Sequence, residues 1–161
     1  MRDETPQDII ESVREIFIAF LPFEATPGKS EIKPYEDPYA PVKEDLVALV
    51  DFSGDAQGGI LLAAQESVAL GLANAFSGEE ATALGDEERD ALGELANMIT
   101  GGIHTRWSEE HINATLTPPS VYVGGFGERA FAPELSSCRQ YFDSPQGPFF
   151  VECFWSFALS L

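Results

Sequence analysis

The strongest constraint on the fold is a long stretch of helical periodicity near the middle of the chain, over residues 86–107. At about 100° per residue, four apolar positions fall on one side of such a helix. These positions are Leu92, Leu95, Ile99 and Ile103. Three acidic residues open the segment and suit the positive end of a helix dipole. The pattern predicts the longest helix of the protein, with one apolar stripe that must be buried.

The opposite side of this predicted helix carries an unusual set of residues within about 80° of one another. They are Asp90, Glu94, Asn97, Gly101 and His104. Asn and Gly are poor helix formers, so helix stability alone does not explain them. Glu94 and Asn97 are neighbours at i and i+3. A carboxylate beside a carboxamide is suited to binding a lysine and orienting a water. The alternative is a solvated polar face that contains one asparagine, and the pattern leaves both interpretations open.

Two small residues follow on the same helix. Gly101 and Gly102 lie one turn after Asn97 and remove side-chain bulk. We expect this to let another surface approach the helix closely.

Two further helices are predicted from the spacing of apolar residues, over residues 6–20 and 66–76. Pro22 ends the first, and Gly78 provides the C-terminal stop of the second. Residues 22–44 hold five prolines, which exclude a regular helix. We expect an irregular stretch there, either an ordered loop or an edge strand.

Strands are predicted on both sides of the helical segments. Residues 46–52 and 59–63 are β-prone runs separated by a turn signal at Ser53-Gly54-Asp55, which predicts a hairpin. Further strands are predicted over residues 121–123, 137–142 and 149–159. Helices and strands alternate in blocks, with no internal repeat and no linker. The chain is therefore expected to form one layered α+β domain over residues 1–161.

The charge balance excludes several classes of partner. Nine Lys and Arg face 27 Asp and Glu, which gives a formal net charge of −18. A nucleic-acid binder needs cations that displace counterions from phosphate, and an acidic surface repels anionic lipid head groups. We expect neither nucleic acid nor membrane as a partner. The acidic surface serves solubility, or it steers a partner with exposed Lys or Arg, and both interpretations stay open.

The cysteines and the N-terminal residues bear on localisation. Cys138 and Cys153 have no spacing typical of a metal or redox site. The first residues lack the apolar core of a signal peptide, and no run approaches membrane-spanning length. We expect a cytoplasmic protein with reduced, buried thiols, although the two cysteines could face each other on neighbouring strands.

Other catalytic chemistries find little support. His104 could serve as a general base, but a structural or rim role is favoured. His111 beside Glu109 and Glu110 lacks the spacing of a zinc helix, so no metal site is expected. Gly124-Gly125-Phe126-Gly127 follows a predicted strand without opening a helix, and is interpreted as a turn.

The site residues resemble the signature of the CheC and CheX chemotaxis phosphatases. Asp90-x-x-x-Glu94-x-x-Asn97 is followed about twenty residues later by a proline, as in that family. Flanking phrases agree: Glu94-Leu-Ala-Asn97-Met-Ile-Thr-Gly101, Pro119-Ser-Val-Tyr-Val-Gly124 and Asp51-Phe-Ser-Gly54 to Gly58-Gly-Ile-Leu-Leu62. The resemblance covers residues 45–125 and, more loosely, the C-terminal strands. Pro118 and Pro119 lie slightly closer to Asn97 than in the usual family pattern.

The resemblance implies a fold and an assembly. CheC-type proteins carry the Glu-x-x-Asn element twice, whereas this chain carries it once, which is the CheX pattern. It implies a layered CheC-like domain, with an antiparallel or mixed sheet packed against two long helices. It also implies a homodimer.

The resemblance further implies an activity. The substrate would be a phosphorylated CheY-type response regulator, which holds an acyl phosphate on an aspartate and itself binds Mg²⁺. Asn97 would orient the attacking water and Glu94 would pair with the regulator's lysine. Asp90, Gly101, His104 and Pro119 would support this surface, and no cofactor would be bound by this chain. The alternative is a non-catalytic module of the same fold that binds receiver domains or dimerises.

Overall fold

The computed structural model describes residues 4–126, 131 and 134–157. Within them lie three helices: α1 (Thr5–Phe20), α2 (Glu66–Ser77) and α3 (Asp86–Glu109). The strands are β1 (Thr26–Lys33), β2 (Leu46–Gly54), β3 (Ala56–Ala64), β4 (Ala114–Leu116), β5 (Ser120–Val123), β6 (Ser136–Asp143) and β7 (Phe149–Phe157). Every predicted helix and strand is present. Residues 158–159 of the last predicted strand lie outside the described residues.

The strands form one antiparallel sheet with the order β1-β6-β7-β3-β2-β4. The short strands β4 and β5 share one edge, because both pair with β2. β4 lies opposite residues 52–54 and β5 opposite residues 46–49. The predicted α+β class is confirmed, and the sheet is antiparallel among the described strands.

Both faces of the sheet are covered, which explains the continuous apolar run of β2. Side chains alternate between the two faces of a strand. Leu46 and Ala48 therefore pack in the cluster that contains the helices, whereas Val47 and Leu49 pack in a second cluster on the other face. Residues outside the helices cover that second face, among them Tyr39, Val42 and Leu135.

The second face also contains a buried carboxylate. The side chain of Glu152 is 4% exposed and accepts a hydrogen bond of 2.9 Å from Arg139 Nε. The Tyr39 hydroxyl donates another to Glu152, at 2.7 Å. The Arg139 guanidinium lies 4.2 Å from the centroid of the Phe150 ring. The buried charge is thus both paired and hydrogen-bonded, as burial requires.

The proline-rich stretch is less irregular than predicted. Residues 26–33 form β1, which pairs with β6 at the edge of the sheet. Pro27 is tolerated because it lies at the second position of an edge strand, where the register with β6 shifts between Pro27 and Ser30. The edge-strand interpretation is therefore correct for this part of the stretch.

The helical layer and the cysteines complete the fold. The sheet packs against three helices rather than two long ones alone, since α1, α2 and α3 have 16, 12 and 24 residues.

Cys138 and Cys153 are directly opposite each other on β6 and β7, and both are buried and free. Among the described residues, no helix combines the length and apolar character needed to cross a membrane.

Candidate functional site

The two sides of α3 differ as the sequence predicts. The four apolar stripe residues, Leu92, Leu95, Ile99 and Ile103, are each at most 1% exposed. They belong to the large core cluster between the helices and the sheet. Burial of this stripe fixes which side of α3 faces outward, because rotation of the helix about its axis would expose the apolar stripe.

The opposite side of α3 is the candidate site, and we call it the site face. It consists of Asp90, Glu94, Asn97, Gly101 and His104. Asp90 and Glu94 are exposed, whereas the other three are half-buried. The side chains of Glu94 and Asn97 have no hydrogen-bond or ion-pair partner within the described part of the chain. Both polar groups are therefore available to an external molecule.

A segment of the sheet edge runs along one side of the site face. It comprises residues 114–121, which include β4, the first two residues of β5 and the two prolines between the strands. His104 Nε2 lies 2.8 Å from the Ala114 carbonyl oxygen. At the other end, a Cβ built on Gly93 would lie 3.3 Å from Val121 Cγ2 and 3.5 Å from Pro119 Cγ. The segment thus contacts α3 at Gly93 and at His104, and Asn97 lies between these two contacts on the helix.

The middle of the 114–121 segment is tied to the sheet. The backbone N–H of Thr117 donates to the Asp51 carbonyl at 2.9 Å, and the Asp51 N–H donates to Thr117 Oγ1 at 3.1 Å. On a helical wheel, Gly93 and His104 lie on the side of the site face nearer to Asn97 than to Glu94. This arrangement accounts for the difference in exposure between Asn97, which is half-buried, and Glu94, which is exposed.

The two adjacent glycines have different surroundings. A Cβ on Gly101 would meet no atom within 4 Å, so this position is open, in agreement with the prediction. A Cβ on Gly102 would clash with Ser12 Oγ and lie 3.2 Å from Ser12 Cβ. The expectation that Gly102 opens the site to a partner is therefore wrong. Gly102 instead gives α1 room to pack against α3.

The structure brings together every predicted site residue, with Pro119 reaching the site face through its contact with Gly93. Sequence reasoning missed Gly93 itself. Its signal is its position four residues before Asn97, where a buried glycine leaves room for side chains of a neighbouring segment. The Ala114 carbonyl was also missed, and no sequence pattern identifies a single backbone oxygen as a side-chain partner.

The C-terminal end of α3 gives no metal site. His111 is exposed and has a φ of 63°, in the left-handed region that stops the helix. In the part of the chain that the structure describes, no group of three or more His, Cys, Asp and Glu residues could hold a metal ion.

Comparison with solved structures identifies the fold class. The chain is similar to a CheC-like superfamily protein from Shewanella sp. PV-4, with 24% identity, 97% of this chain and 99% of that chain covered, and a TM-score of 0.80. It is also similar to the chemotaxis protein CheX from Desulfovibrio desulfuricans, with 22% identity, coverage of 95% and 99%, and a TM-score of 0.80. These similarities establish a CheC-like fold.

The sequence itself identifies the family. Residues 46–143, more than half of the chain, match the family described as chemotaxis phosphatase CheX. The chain belongs to the CheX family, and the resemblance stated from its motifs is confirmed. A third similar structure is the CheX–CheY–BeF3–Mg²⁺ complex from Borrelia burgdorferi, with 19% identity, coverage of 95% and 97%, and a TM-score of 0.71. No protein of curated function matches the chain.

Proposed function

We propose that this chain is a phosphatase that hydrolyses the aspartyl phosphate of a CheY-type response regulator. One observation carries the proposal: Glu94 and Asn97 lie side by side, without partners among the described residues, on the outward side of a helix whose other side is buried. Membership of the CheX family supports it. So does the Borrelia burgdorferi complex, in which a protein of this fold is bound to CheY with BeF3 and Mg²⁺.

Asn97 is the residue that acts on the water. Its carboxamide oxygen accepts a hydrogen bond from the water, and its amide nitrogen donates one to the phosphoryl group. The water oxygen attacks phosphorus opposite the aspartyl oxygen, the P–O bond to the aspartate breaks, and the aspartate leaves as a carboxylate. Both hydrogens of the water leave with the inorganic phosphate that forms. Phosphoryl transfer depends mainly on positioning and charge stabilisation, so one oriented water accounts for a large acceleration.

Glu94 holds the two proteins in register. An exposed carboxylate one turn from Asn97 pairs with the lysine of the regulator's active site through a charge-assisted hydrogen bond. The Mg²⁺ that stabilises the phosphoryl charge belongs to the regulator, and no cofactor on this chain enters the reaction. Neither a covalent intermediate on this chain nor a general base on it is required.

The remaining residues of the surface support docking. Asp90 lies one turn before Glu94 and adds a second acidic anchor for a basic partner. Gly101 leaves open space beside Asn97, and Pro119 forms the adjacent rim through its contact with Gly93. The net charge of −18 favours encounter with a surface that exposes lysine. A cytoplasmic homodimer is the assembly that we propose from the family pattern.

The test is the lifetime of the acyl phosphate on a purified CheY-type receiver domain. We expect the wild-type protein to shorten it and Asn97→Ala to leave it at its intrinsic value, with an unchanged thermal midpoint. Asn113→Ala is the matched control, because Asn113 is an exposed asparagine outside the site face. It should shorten the lifetime as the wild type does.

Two outcomes would contradict the proposal. If Asn97→Ala unfolds, the residue is a structural part of the core and the site assignment fails. If the wild-type protein binds the phosphorylated receiver without shortening the lifetime, the chain is a non-catalytic receiver-binding module of the same fold.

A further inference from the structure

We propose that His104 is a positioning residue, which holds the 114–121 segment against α3. It thereby fixes the position of this segment, the rim of the site, beside Asn97. The inference rests on the proposed phosphatase function. His104 acts through its hydrogen bond to the Ala114 carbonyl and does not exchange a proton with the substrate.

The hydrogen bond to Ala114 requires a hydrogen on one particular ring nitrogen of His104. A carbonyl oxygen only accepts hydrogen bonds, so Nε2 of His104 must carry the hydrogen in the 2.8 Å contact with Ala114. The ring is therefore held in one orientation, and its Nε2 is engaged within the protein. A general base acting from this position would have to use Nδ1, the nitrogen closer to the helix backbone.

The segment that His104 holds begins with a very short edge strand. β4 is a three-residue strand at the end of the sheet order, and it pairs with β2 only at residues 52–54. Few backbone hydrogen bonds hold so short an edge strand. The contact of His104 with Ala114 therefore adds a constraint that the sheet does not supply, since it ties the start of the segment to α3.

The other end of the segment explains why this constraint reaches the site. Pro119 and Val121 pack on Gly93, which lies one helical turn before Asn97. Between the two ends, Thr117 is hydrogen-bonded to Asp51 of β2. With both ends and the middle fixed, the rim has one position relative to the Asn97 carboxamide. Without the His104 bond, the start of the segment keeps its ties to the sheet, namely the β4 pairing and the two hydrogen bonds between Asp55 and Asn113. It loses its hydrogen bond to α3.

The experiment compares two substitutions of similar size. His104→Gln places an amide N–H at a reach close to that of Nε2 and keeps a donor for Ala114. His104→Met fills the same space without a donor. His111→Asn is the control for loss of a histidine, since His111 is exposed and Asn tolerates its positive φ. Each variant is tested for the single-turnover rate of receiver dephosphorylation and for affinity to a receiver activated with beryllofluoride.

We expect His104→Met to lower the dephosphorylation rate about tenfold, which is within the range that small misplacements of catalytic groups produce. Its affinity for the activated receiver should change less than about twofold, because Glu94 is untouched. His104→Gln should retain a rate within about twofold of the wild type. Amide hydrogen exchange of residues 114–117 should accelerate in His104→Met and not in His104→Gln.

Three results would overturn the inference. Equal rates for His104→Met and wild type would show that the bond does not matter to catalysis. A rate as low in His104→Gln as in His104→Met would indicate that the imidazole itself takes part in the reaction. Absence of turnover in the wild-type protein would remove the proposed function, and the inference with it, whereas the first two results leave that function standing.

Discussion

The hydroxyl of Ser12 in α1 donates a hydrogen bond of 2.6 Å to the carbonyl oxygen of Ile99 in α3. The two residues are 87 positions apart in sequence, and Ser12 is completely buried. Arg106 strengthens the same helix pair through contacts of 3.2 Å with Glu11 and 2.7 Å with Glu15. α1 therefore packs against a side of α3 that lies away from the site face. This packing holds the helix in place and leaves the site face accessible.

The adjacent glycines of α3 provide a matched test of this packing. Gly101→Ala should raise the free energy of unfolding by up to about 1 kcal/mol, because alanine favours helix and the Cβ meets open space. Gly102→Ala should lower it by about 1–3 kcal/mol, because the Cβ displaces Ser12 and breaks its bond to Ile99. Urea unfolding of both variants measures the difference. Equal stabilities would contradict the packing of Ser12 against Gly102.

Charge reversal at Glu94 tests how the surface recognises its partner. Glu94→Lys should weaken binding to a beryllofluoride-activated receiver by about tenfold or more, because a like charge then faces the regulator's lysine. Glu109→Lys is the control, since it makes the same change in net charge at the far, exposed end of α3. Titration by calorimetry at two salt concentrations separates this contact from long-range steering, which salt screens. Equal affinity of the two variants would remove the proposed role of Glu94.

The buried pair on the second sheet face should behave differently from a surface ion pair. Among the described residues, Arg139→Met leaves the buried Glu152 carboxylate with Tyr39 as its remaining partner, and should cost about 3 kcal/mol. Tyr39→Phe removes one hydrogen bond and should cost about 1 kcal/mol. The double variant Arg139→Met/Glu152→Met should be more stable than Arg139→Met alone, because no unpaired charge remains. Denaturant unfolding measures the free energy of unfolding of all three variants. A double variant that is less stable than Arg139→Met would contradict the pairing.

The facing cysteines predict both reactivity and a dependence of stability on pH. Burial raises the pKa of the Cys138 thiol to about 11 and that of the Cys153 thiol to about 12. Since the thiolate is the reactive form, iodoacetamide at pH 8 should label neither thiol in the folded protein. Rapid labelling under native conditions would show that the strands open.

The same pKa values give the direction of the pH effect. In the unfolded chain both thiols have an ordinary pKa near 9.0. Above that pH the unfolded state loses these protons first, so their contribution to stability is complete below pH 9 and falls as the pH rises toward 11 and 12. Cys138→Ala/Cys153→Ala should unfold with a weaker dependence on pH in this range. An identical dependence in this double variant would assign the effect to other groups.

Sequence reasoning predicted the parts of the fold that depend on local periodicity. The stripe through Leu92 and Ile103 determined the orientation of α3, and Asn97 was placed on its outward side. β1 was only partly anticipated, because Pro27 obscures a strand whose register shifts beside it. The contact of Pro119 with Gly93 was not predictable, since it arises from pairing of β5 with β2 rather than from a local pattern.

The separation of α3 into a packed side and an outward side shapes how such proteins diverge. Natural selection for a stable fold acts on the buried stripe, whereas selection for turnover acts on outward residues such as Asn97. Under the proposed function, one substitution at Asn97 turns an enzyme into an equally durable receptor for the same regulator. Duplicated copies of this domain thus have a short mutational path from ending a signal to sequestering it.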